Sequence, residues 1–159
     1  MLPHAPQPGQ WLDLGSGGGF PGLVVAIQRS EKGLGPVHLV ESNGRKCAFL
    51  RHCVRLLDLD AVVHERRIED YLATSASTPE VVSARALAPL AVLIGWTQEL
   101  LRRGALGIFP KGQDVDRDIA EAARQWTFTA ELQPSVTDRQ AHIVLVRMKA
   151  EEDTAHVAG

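Results

Sequence analysis

The chain has 159 residues, of which 45% are hydrophobic, with 17 basic and 19 acidic side chains and a formal net charge of −2 at pH 7. This composition predicts one globular domain over 1–159. It excludes a protein that binds nucleic acid through an overall basic surface, so any contact with nucleic acid needs a local basic patch. Its apolar runs are far shorter than the roughly 20 residues of a membrane span, and its first residues lack the segments of a signal peptide. We therefore expect no membrane contact. Three prolines near the N-terminus predict an extended lead-in over 1–9, and we also expect a disordered tail over 150–159.

Cysteine and metal chemistry receive little support. Cys47 and Cys53 fall on one predicted helix and point to different faces of it, which prevents a mutual disulfide. We therefore expect a reduced, cytoplasmic setting. The histidines are scattered singly. Three alternating aspartates from Asp114 onward begin like a calcium loop, but Ile119 and Gln125 stand where that loop requires glycine and glutamate. We expect no metal site.

Strands and helices alternate along most of the chain. Five strands are predicted, in order, over Gln10–Leu14, Pro36–Glu41, Ala61–His64, Glu80–Ser83 and Gly104–Phe109. Each precedes a predicted helix, over Phe20–Arg29, Gly44–Leu57, Ile68–Leu72, Pro89–Leu101 and Val115–Gln125. From the spacing of their apolar residues, the first helix is expected to bury Leu23, Ala26 and Ile27, and the second Cys47, Leu50, Val54 and Leu57.

The chain ends differently. Two further strands, Trp126–Leu132 and His142–Lys149, are joined by a loop too short for a crossover helix, so this pair is antiparallel. Five βα units followed by such a hairpin predict a doubly wound α/β fold. We expect a mostly parallel seven-stranded sheet with a C-terminal antiparallel hairpin and helices on both faces.

The segment WLDLGSGGGFPG, at the end of the first strand, fits two ligand-binding loops. Gly17, Gly19 and Gly22 satisfy the dinucleotide pattern GxGxxG. Read from Asp13 through Gly15, the same segment satisfies DxGxGxG and resembles the first motif of S-adenosylmethionine-dependent methyltransferases. In both patterns the missing side chains let the backbone approach the ligand. A turn that serves only close packing of strand and helix is a further alternative.

Glu41 closes the second strand, 22 residues after Gly19. Its carboxylate can accept hydrogen bonds from both ribose hydroxyls of NAD or of S-adenosylmethionine, so it indicates nucleoside binding without choosing between them. A solvated glutamate at a strand end is the alternative. The closing hairpin favours the methyltransferase, because dinucleotide-binding domains generally continue with a parallel strand. The sequence therefore predicts a Rossmann-like class I methyltransferase fold with S-adenosylmethionine as cofactor.

Four stretches together resemble the RsmG (also called GidB) family: DLGSGGGFPG, LVESNGRKCAFLR, VVSARALAPL and FPKGQD. The resemblance extends from Trp11 to Lys149. It implies S-adenosylmethionine-dependent methylation of guanine N7 in 16S ribosomal RNA, with that RNA or the 30S subunit as partner. Guanine N7 carries an exposed lone pair and loses no proton on alkylation, so the reaction needs no general base. This agrees with a sequence that places no Cys, His or carboxylate as an evident base.

The resemblance also implies roles for individual residues. Cofactor-binding positions implied by it are Gly15, Gly17, Phe20, Glu41, Ile68, Glu69 and Arg85. Within this set Glu41 is the ribose-binding acid, Ile68 and Glu69 hold the adenine, and Arg85 is the active-site arginine of the SARA motif. Without the family, Ile68 fits the core and Glu69 fits the start of a helix.

Four cations are candidates for RNA contact or catalysis. Arg85 is a lone guanidinium in the apolar run VVSARALAPL, where an arginine needs an anionic partner. Lys111 ends the fifth strand at the edge where ligands bind in such sheets, and a solvated lysine fits that position equally well. Arg51 and Arg55 lie one turn apart on the second helix and are expected to contact RNA phosphates, with a solvated basic face as the alternative.

Members of the family usually carry a helical N-terminal segment of several dozen residues, whereas ten residues precede Trp11 here. In the family that segment covers the site and contributes to RNA contact. We expect it to be missing from this chain, which leaves two further hypotheses open. One is a methyltransferase that acts on another substrate, such as a small molecule, and the other is a non-catalytic module that binds S-adenosylmethionine.

Overall fold

The computed structural model describes residues 8–85, 87–136 and 138–149, which form seven strands and five helices. The strands are β1 (Trp11–Leu14), β2 (Val37–Glu41), β3 (Ala61–Glu65), β4 (Val81–Ala84), β5 (Leu106–Lys111), β6 (Phe128–Pro134) and β7 (His142–Met148). The helices are α1 (Gly22–Lys32), α2 (Gly44–Leu56), α3 (Ile68–Thr74), α4 (Leu90–Arg102) and α5 (Val115–Ala123). The predicted tail over 150–159 and residues 1–7 of the predicted lead-in lie outside the described residues. No helix within the described ranges is long and apolar enough to span a membrane.

The strands form one sheet in the order β3-β2-β1-β4-β5-β7-β6. Strands β1 to β5 are parallel, while β7 pairs antiparallel with both β5 and β6. The predicted doubly wound sheet with its C-terminal hairpin is confirmed. Since the chain leaves β1 toward β2 and later returns to β4 on the opposite side, the strand order reverses between β1 and β4. Ligands bind outside the carboxyl ends of the strands at such a reversal.

Helices cover both faces of the sheet, as predicted. On one face α3, α4 and α5 enclose a cluster that includes Leu12 and Phe109. On the other face α1 and α2 enclose a second cluster that includes Trp11 and Leu50. Trp11 and Leu12 are neighbours in β1 and enter different clusters, because successive side chains of a strand point to opposite faces. Each face of the sheet is thereby buried by its own core.

The prediction that α1 buries Ile27 is wrong. Ile27 is 36% exposed. The inward face of α1 continues instead from Ala26 to Arg29, which is buried and donates to the carbonyl oxygens of Gly9 and Leu34. A buried arginine is tolerated here because two backbone carbonyls accept from its Nη2 and its guanidinium lies 5.9 Å from the centroid of the Trp11 ring. Its Nε has no hydrogen-bond partner among the described residues.

The predicted stripe of α2 is right in its first turns and wrong at its end. Cys47 and Leu50 are buried, whereas Leu57 is 51% exposed. The helix ends at Leu56, and Leu57 has left helical geometry as its C-cap, so the helical spacing no longer places it on the inward face. Cys47 and Cys53 are both free thiols.

Two leucines of α2 allow a matched test of this packing. Leu50→Ala is expected to lower the free energy of unfolding by about 2–5 kcal/mol, because it removes a fully buried side chain from the core. Leu56→Ala makes the same chemical change at a position that is 70% exposed, and is expected to alter stability by about 0.5 kcal/mol or less. Urea denaturation of both variants measures the difference. Equal losses would contradict the orientation of α2.

Candidate active site

The glycine-rich loop between β1 and α1 lies at the carboxyl edge of the sheet, beside the reversal of strand order. Gly15, Gly17 and Gly19 adopt φ values of 66°, 53° and 98°, which side-chain-bearing residues rarely adopt. A Cβ on Gly15 would also lie 3.0 Å from Cδ1 of Leu87. α1 begins at Gly22, so Phe20 remains part of this loop. The loop therefore presents backbone groups to whatever binds at this edge.

Glu41 joins the loop to the end of β2. One oxygen of its carboxylate, Oε2, accepts a hydrogen bond of 2.8 Å from the amide of Gly17, and the other, Oε1, accepts one of 3.0 Å from the amide of Asn43. Glu41 is only partly buried. Each carboxylate oxygen can accept more than one hydrogen bond, so the group keeps capacity for a diol while it holds the loop in place.

Residues Arg66 to Glu69 lie beside Glu41. The amide of Arg66 donates to the carbonyl oxygen of Glu41 over 3.1 Å, which brings the start of α3 to the same edge. Ile68 is partly buried and packs against the core, and Glu69 is exposed in the first turn of α3. The structure thus brings both residues predicted to hold adenine next to the residue predicted to hold ribose.

A buried carboxyl group lies beneath the loop. The Trp11 indole Nε1 donates to the Ser83 hydroxyl over 2.8 Å, and that hydroxyl donates to Oδ1 of Asp13 over 2.6 Å. Oδ2 of Asp13 has no hydrogen-bond partner among the described residues, and a Cβ on Gly22 would lie 2.5 Å from it. Burial raises the pKa of Asp13 from 3.8 to about 6, against the opposing effect of the Ser83 hydroxyl.

On the other side of the loop, a cavity of about 480 Å³ opens between the ends of β4, β5 and β7. Its lining includes Phe20, Arg85, Lys111, Asp138 and His142. Arg85 is exposed and makes no hydrogen bond or ion pair within the described part of the chain. The Phe20 ring is also largely exposed. This cavity therefore offers one unpaired guanidinium and one aromatic face to a ligand.

Lys111 lies at the carboxyl edge as predicted, but its amine already has partners. Nζ donates to the carbonyl oxygen of Ala88 over 2.6 Å and pairs with Oδ2 of Asp118 over 2.9 Å. Oδ1 of Asp118 accepts from the amide of Leu90 over 2.9 Å. The lysine thereby ties the segment after Arg85 to the first turns of α4 and α5.

The two cations predicted on α2 differ from each other. Arg51 donates to Oε2 of Glu65 over 3.0 Å, and both side chains are partly exposed. Arg55 is exposed and has no ion pair among the residues that the structure describes. The charge of Arg51 is therefore partly balanced within the chain, and that of Arg55 is not.

Several residues that shape the candidate site were not predicted from the sequence. Asn43 had a recognisable signal, since an Asn directly before a helix is a favoured N-cap, and its side chain accepts from the amide of Lys46 over 3.1 Å. Ser83, Asp118 and His142 had none, because their contacts join residues far apart in the chain.

The sheet order, the antiparallel hairpin and the glycine-rich loop define a class I methyltransferase fold. Solved structures share it. Ribosomal protein L11 methylase from Lactobacillus delbrueckii subsp. bulgaricus matches 90% of this chain and 72% of its own at a TM-score of 0.70 and 18% identity. An rRNA methylase from Streptococcus thermophilus matches 90% of this chain and 89% of its own, at 0.65 and 12%. At these identities the likeness shows the fold alone.

The family follows from sequence. The family model GidB, described as rRNA small subunit methyltransferase G, matches residues 1–144. Ribosomal RNA small subunit methyltransferase G of Methylorubrum extorquens (strain PA1) is 51% identical over 146 residues, which cover 92% of this chain and 69% of the relative. The protein of that name from Caulobacter vibrioides (strain NA1000 / CB15N) is 42% identical over 147 residues, covering 92% and 66%. The chain belongs to the GidB family of small-subunit rRNA methyltransferases.

The buried Asp13 carboxyl predicts a pH dependence of stability. Because its pKa in the fold, about 6, lies above the ordinary 3.8, the unfolded chain releases this proton first as pH rises. Protonated Asp13 therefore contributes to stability, and this contribution is complete below about pH 4. It is lost as pH rises from about 4 to about 6, which lowers the free energy of unfolding by about 3 kcal/mol in total. Asp13→Asn removes the titrating group, so the stability difference between wild type and variant should shift by that amount across this range. Denaturant unfolding at several pH values measures it, and parallel curves would contradict the prediction.

Proposed function

We propose that this chain methylates N7 of a guanine in 16S ribosomal RNA of the small subunit, with S-adenosylmethionine as methyl donor. One observation carries the proposal. The Glu41 carboxylate and a cavity with an unpaired cation, Arg85, flank the same glycine-rich loop on opposite sides. A methyl donor held along the loop would then reach from the β2 side to the cavity. The names of the relatives support ribosomal RNA as the acceptor.

The residues present fit the proposed cofactor. A loop of positive-φ glycines admits a ligand close to the backbone, and Glu41 retains acceptor capacity for two ribose hydroxyls. We propose that Gly15 and Gly17 line the amino-acid end, that Glu41 holds the ribose, and that Ile68 and Glu69 hold the adenine. S-adenosylmethionine supplies an electrophilic methyl group on a sulfonium sulfur. Everything else needed for transfer is positioning and exclusion of water by the protein.

The acceptor determines what the chain must supply. Guanine N7 attacks with its own lone pair and loses no proton, so no side chain has to act as a base. The purine becomes cationic as the bond forms, which disfavours a guanidinium on O6, and a bidentate contact to O6 and N7 would block the nucleophile. We therefore propose that Arg85 holds an anionic group, either an RNA phosphate or the cofactor carboxylate. Phe20 offers its exposed ring to the base.

The other cations take graded roles in this proposal. Arg55 contacts a phosphate directly, since it has no competing partner in the described part of the chain. Arg51 reaches a phosphate only by exchanging Glu65 for it. Lys111 reaches substrate only by giving up Asp118, and otherwise keeps the Arg85 segment in place.

The ribose contact is tested by a pair of glutamate variants. Glu41→Gln should weaken binding of S-adenosylhomocysteine by roughly 10- to 150-fold, the loss typical of hydrogen bonds to a charged group. Glu65→Gln is the matched control, because Glu65 lies opposite Glu41 on the neighbouring strand and contacts Arg51 instead of the loop. Isothermal titration calorimetry measures both. Unchanged affinity in Glu41→Gln, or tight binding of NAD by the wild type, would contradict the cofactor site.

The reaction is tested by incubating the chain with labelled S-adenosylmethionine and either 30S subunits or naked 16S RNA, then mapping the label. We expect methyl transfer to N7 of one guanine. Arg85→Gln should raise the KM for RNA and lower the log–log salt slope of RNA binding by about 0.7–0.9 if Arg85 holds a phosphate. If it holds the cofactor carboxylate, affinity for S-adenosylhomocysteine falls instead. Label on a small molecule, or no transfer at all, would contradict the proposed function.

A further inference from the structure

We propose that the solvent-facing side of α2 is a docking surface for single-stranded ribosomal RNA. We name this surface the α2 outer face and define it by Arg45, Phe49 and His52, with Lys46 and Arg55 on its flanks. The inference rests on the proposed function and extends it, since it adds an aromatic residue and two further cations to the phosphate contact proposed for Arg55.

The three defining residues share one side of the helix. Positions 45, 49 and 52 are four and three residues apart, which aligns side chains along one face of an α-helix. All three are exposed, whereas Cys47 and Leu50 are buried against the sheet. α2 follows β2 directly, so the face begins at the same edge of the sheet as Glu41 and the glycine-rich loop.

Phe49 is the unusual member of this face. Its ring is 50% exposed, although the adjacent Leu50 is fully buried. About half of the Phe49 surface is therefore open to a ligand. An exposed aromatic side chain gives an unpaired base a surface on which to stack, a contact that RNA-binding proteins use for single-stranded segments.

The charges on α2 are all of one sign. Between Gly44 and Leu56 the helix carries Arg45, Lys46, Arg51 and Arg55 and no acidic residue. Arg51 is paired with Glu65, while the other three make no ion pair within the described ranges. In a chain with a net charge of −2, this is a local basic patch of the kind a nucleic-acid contact requires.

The position of two of these cations strengthens the argument. Arg45 and Lys46 lie in the first turn of α2, where the helix dipole disfavours positive charge, and the turn contains no acid to offset them. Local helix stability therefore does not explain their presence. An anionic partner does, and a single strand of RNA supplies both phosphates for the cations and bases for Phe49.

The charge component is tested with two double variants. Arg45→Gln with Lys46→Gln should weaken binding of a 16S RNA transcript and lower its log–log salt slope by about 1.4–1.8, because two phosphate contacts are lost. Arg102→Gln with Arg124→Gln is the matched control. It removes the same charge from two exposed arginines near the C-terminal ends of α4 and α5, at the opposite edge of the sheet. Equal affinities and slopes in the two double variants would overturn the proposal.

The stacking component is tested at Phe49. Phe49→Ala should weaken binding of the transcript by about 5- to 150-fold, Phe49→Trp should retain it, and Phe49→Leu should resemble Phe49→Ala, because leucine is apolar but offers no ring. Wild-type affinity in Phe49→Leu, or in Phe49→Ala, would overturn the proposal.

Two further measurements separate this proposal from the proposed function. Affinity for S-adenosylhomocysteine should be unchanged in every α2 variant, because the α2 outer face lies outside the proposed cofactor site. A parallel loss of affinity for S-adenosylhomocysteine and for the transcript would overturn the assignment of a separate RNA surface. Where the wild type binds the transcript through the α2 outer face but labels no guanine N7, the function fails and the surface stands. Where it labels guanine N7 and the α2 variants bind the transcript like the wild type, the surface fails and the function stands.

Discussion

The hydrogen bond from the amide of Gly17 to the carboxylate of Glu41 is the contact on which the candidate site depends. It joins the loop after β1 to the end of β2 over 2.8 Å, so the loop is held by the group that would bind the ligand. Without that acceptor the Gly17 amide would lose its hydrogen-bond partner, and the positive-φ turn would be less well stabilised. Beneath it, the Ser83 hydroxyl ties β4 to Asp13 of β1. Side-chain hydrogen bonds thus connect β1 and its loop to both neighbouring strands, β2 and β4, where the strand order reverses.

Pairing within the chain separates the cations by role. Lys111 and Arg51 have carboxylate partners at 2.9 Å and 3.0 Å, and their charges are partly balanced before any ligand arrives. Arg85 and Arg55 have none among the described residues. A cation without an internal partner can bind an external anion without first breaking a contact. Arg85 and Arg55 are therefore better candidates than Lys111 and Arg51 for contact with RNA or cofactor. Binding of a partner through its phosphates would also weaken as the salt concentration rises.

Sequence periodicity predicted the fold well and the exposed side of single residues less well. The alternation of strands and helices and the short final loop were sufficient for the sheet, because connection length restricts which strands can be parallel. Ile27 and Leu57 were misplaced for local reasons. Arg29 occupies the inward face of α1 with backbone carbonyls as partners, and α2 ends one residue before Leu57. Apolar spacing detects neither a buried arginine held by backbone carbonyls nor a helix end.

The sequence by itself determined the sheet, the glycine-rich loop and the family, because these depend on local spacing and on motifs that lie within short segments. Only the tertiary structure decided what surrounds each charged group. Lys111 of β5 contacts Asp118 of α5, and Arg51 of α2 contacts Glu65 of β3. No local sequence pattern indicates that these side chains come together. The energy of a charge is set by burial and by neighbours brought together in three dimensions, and these exist only once the sheet has formed.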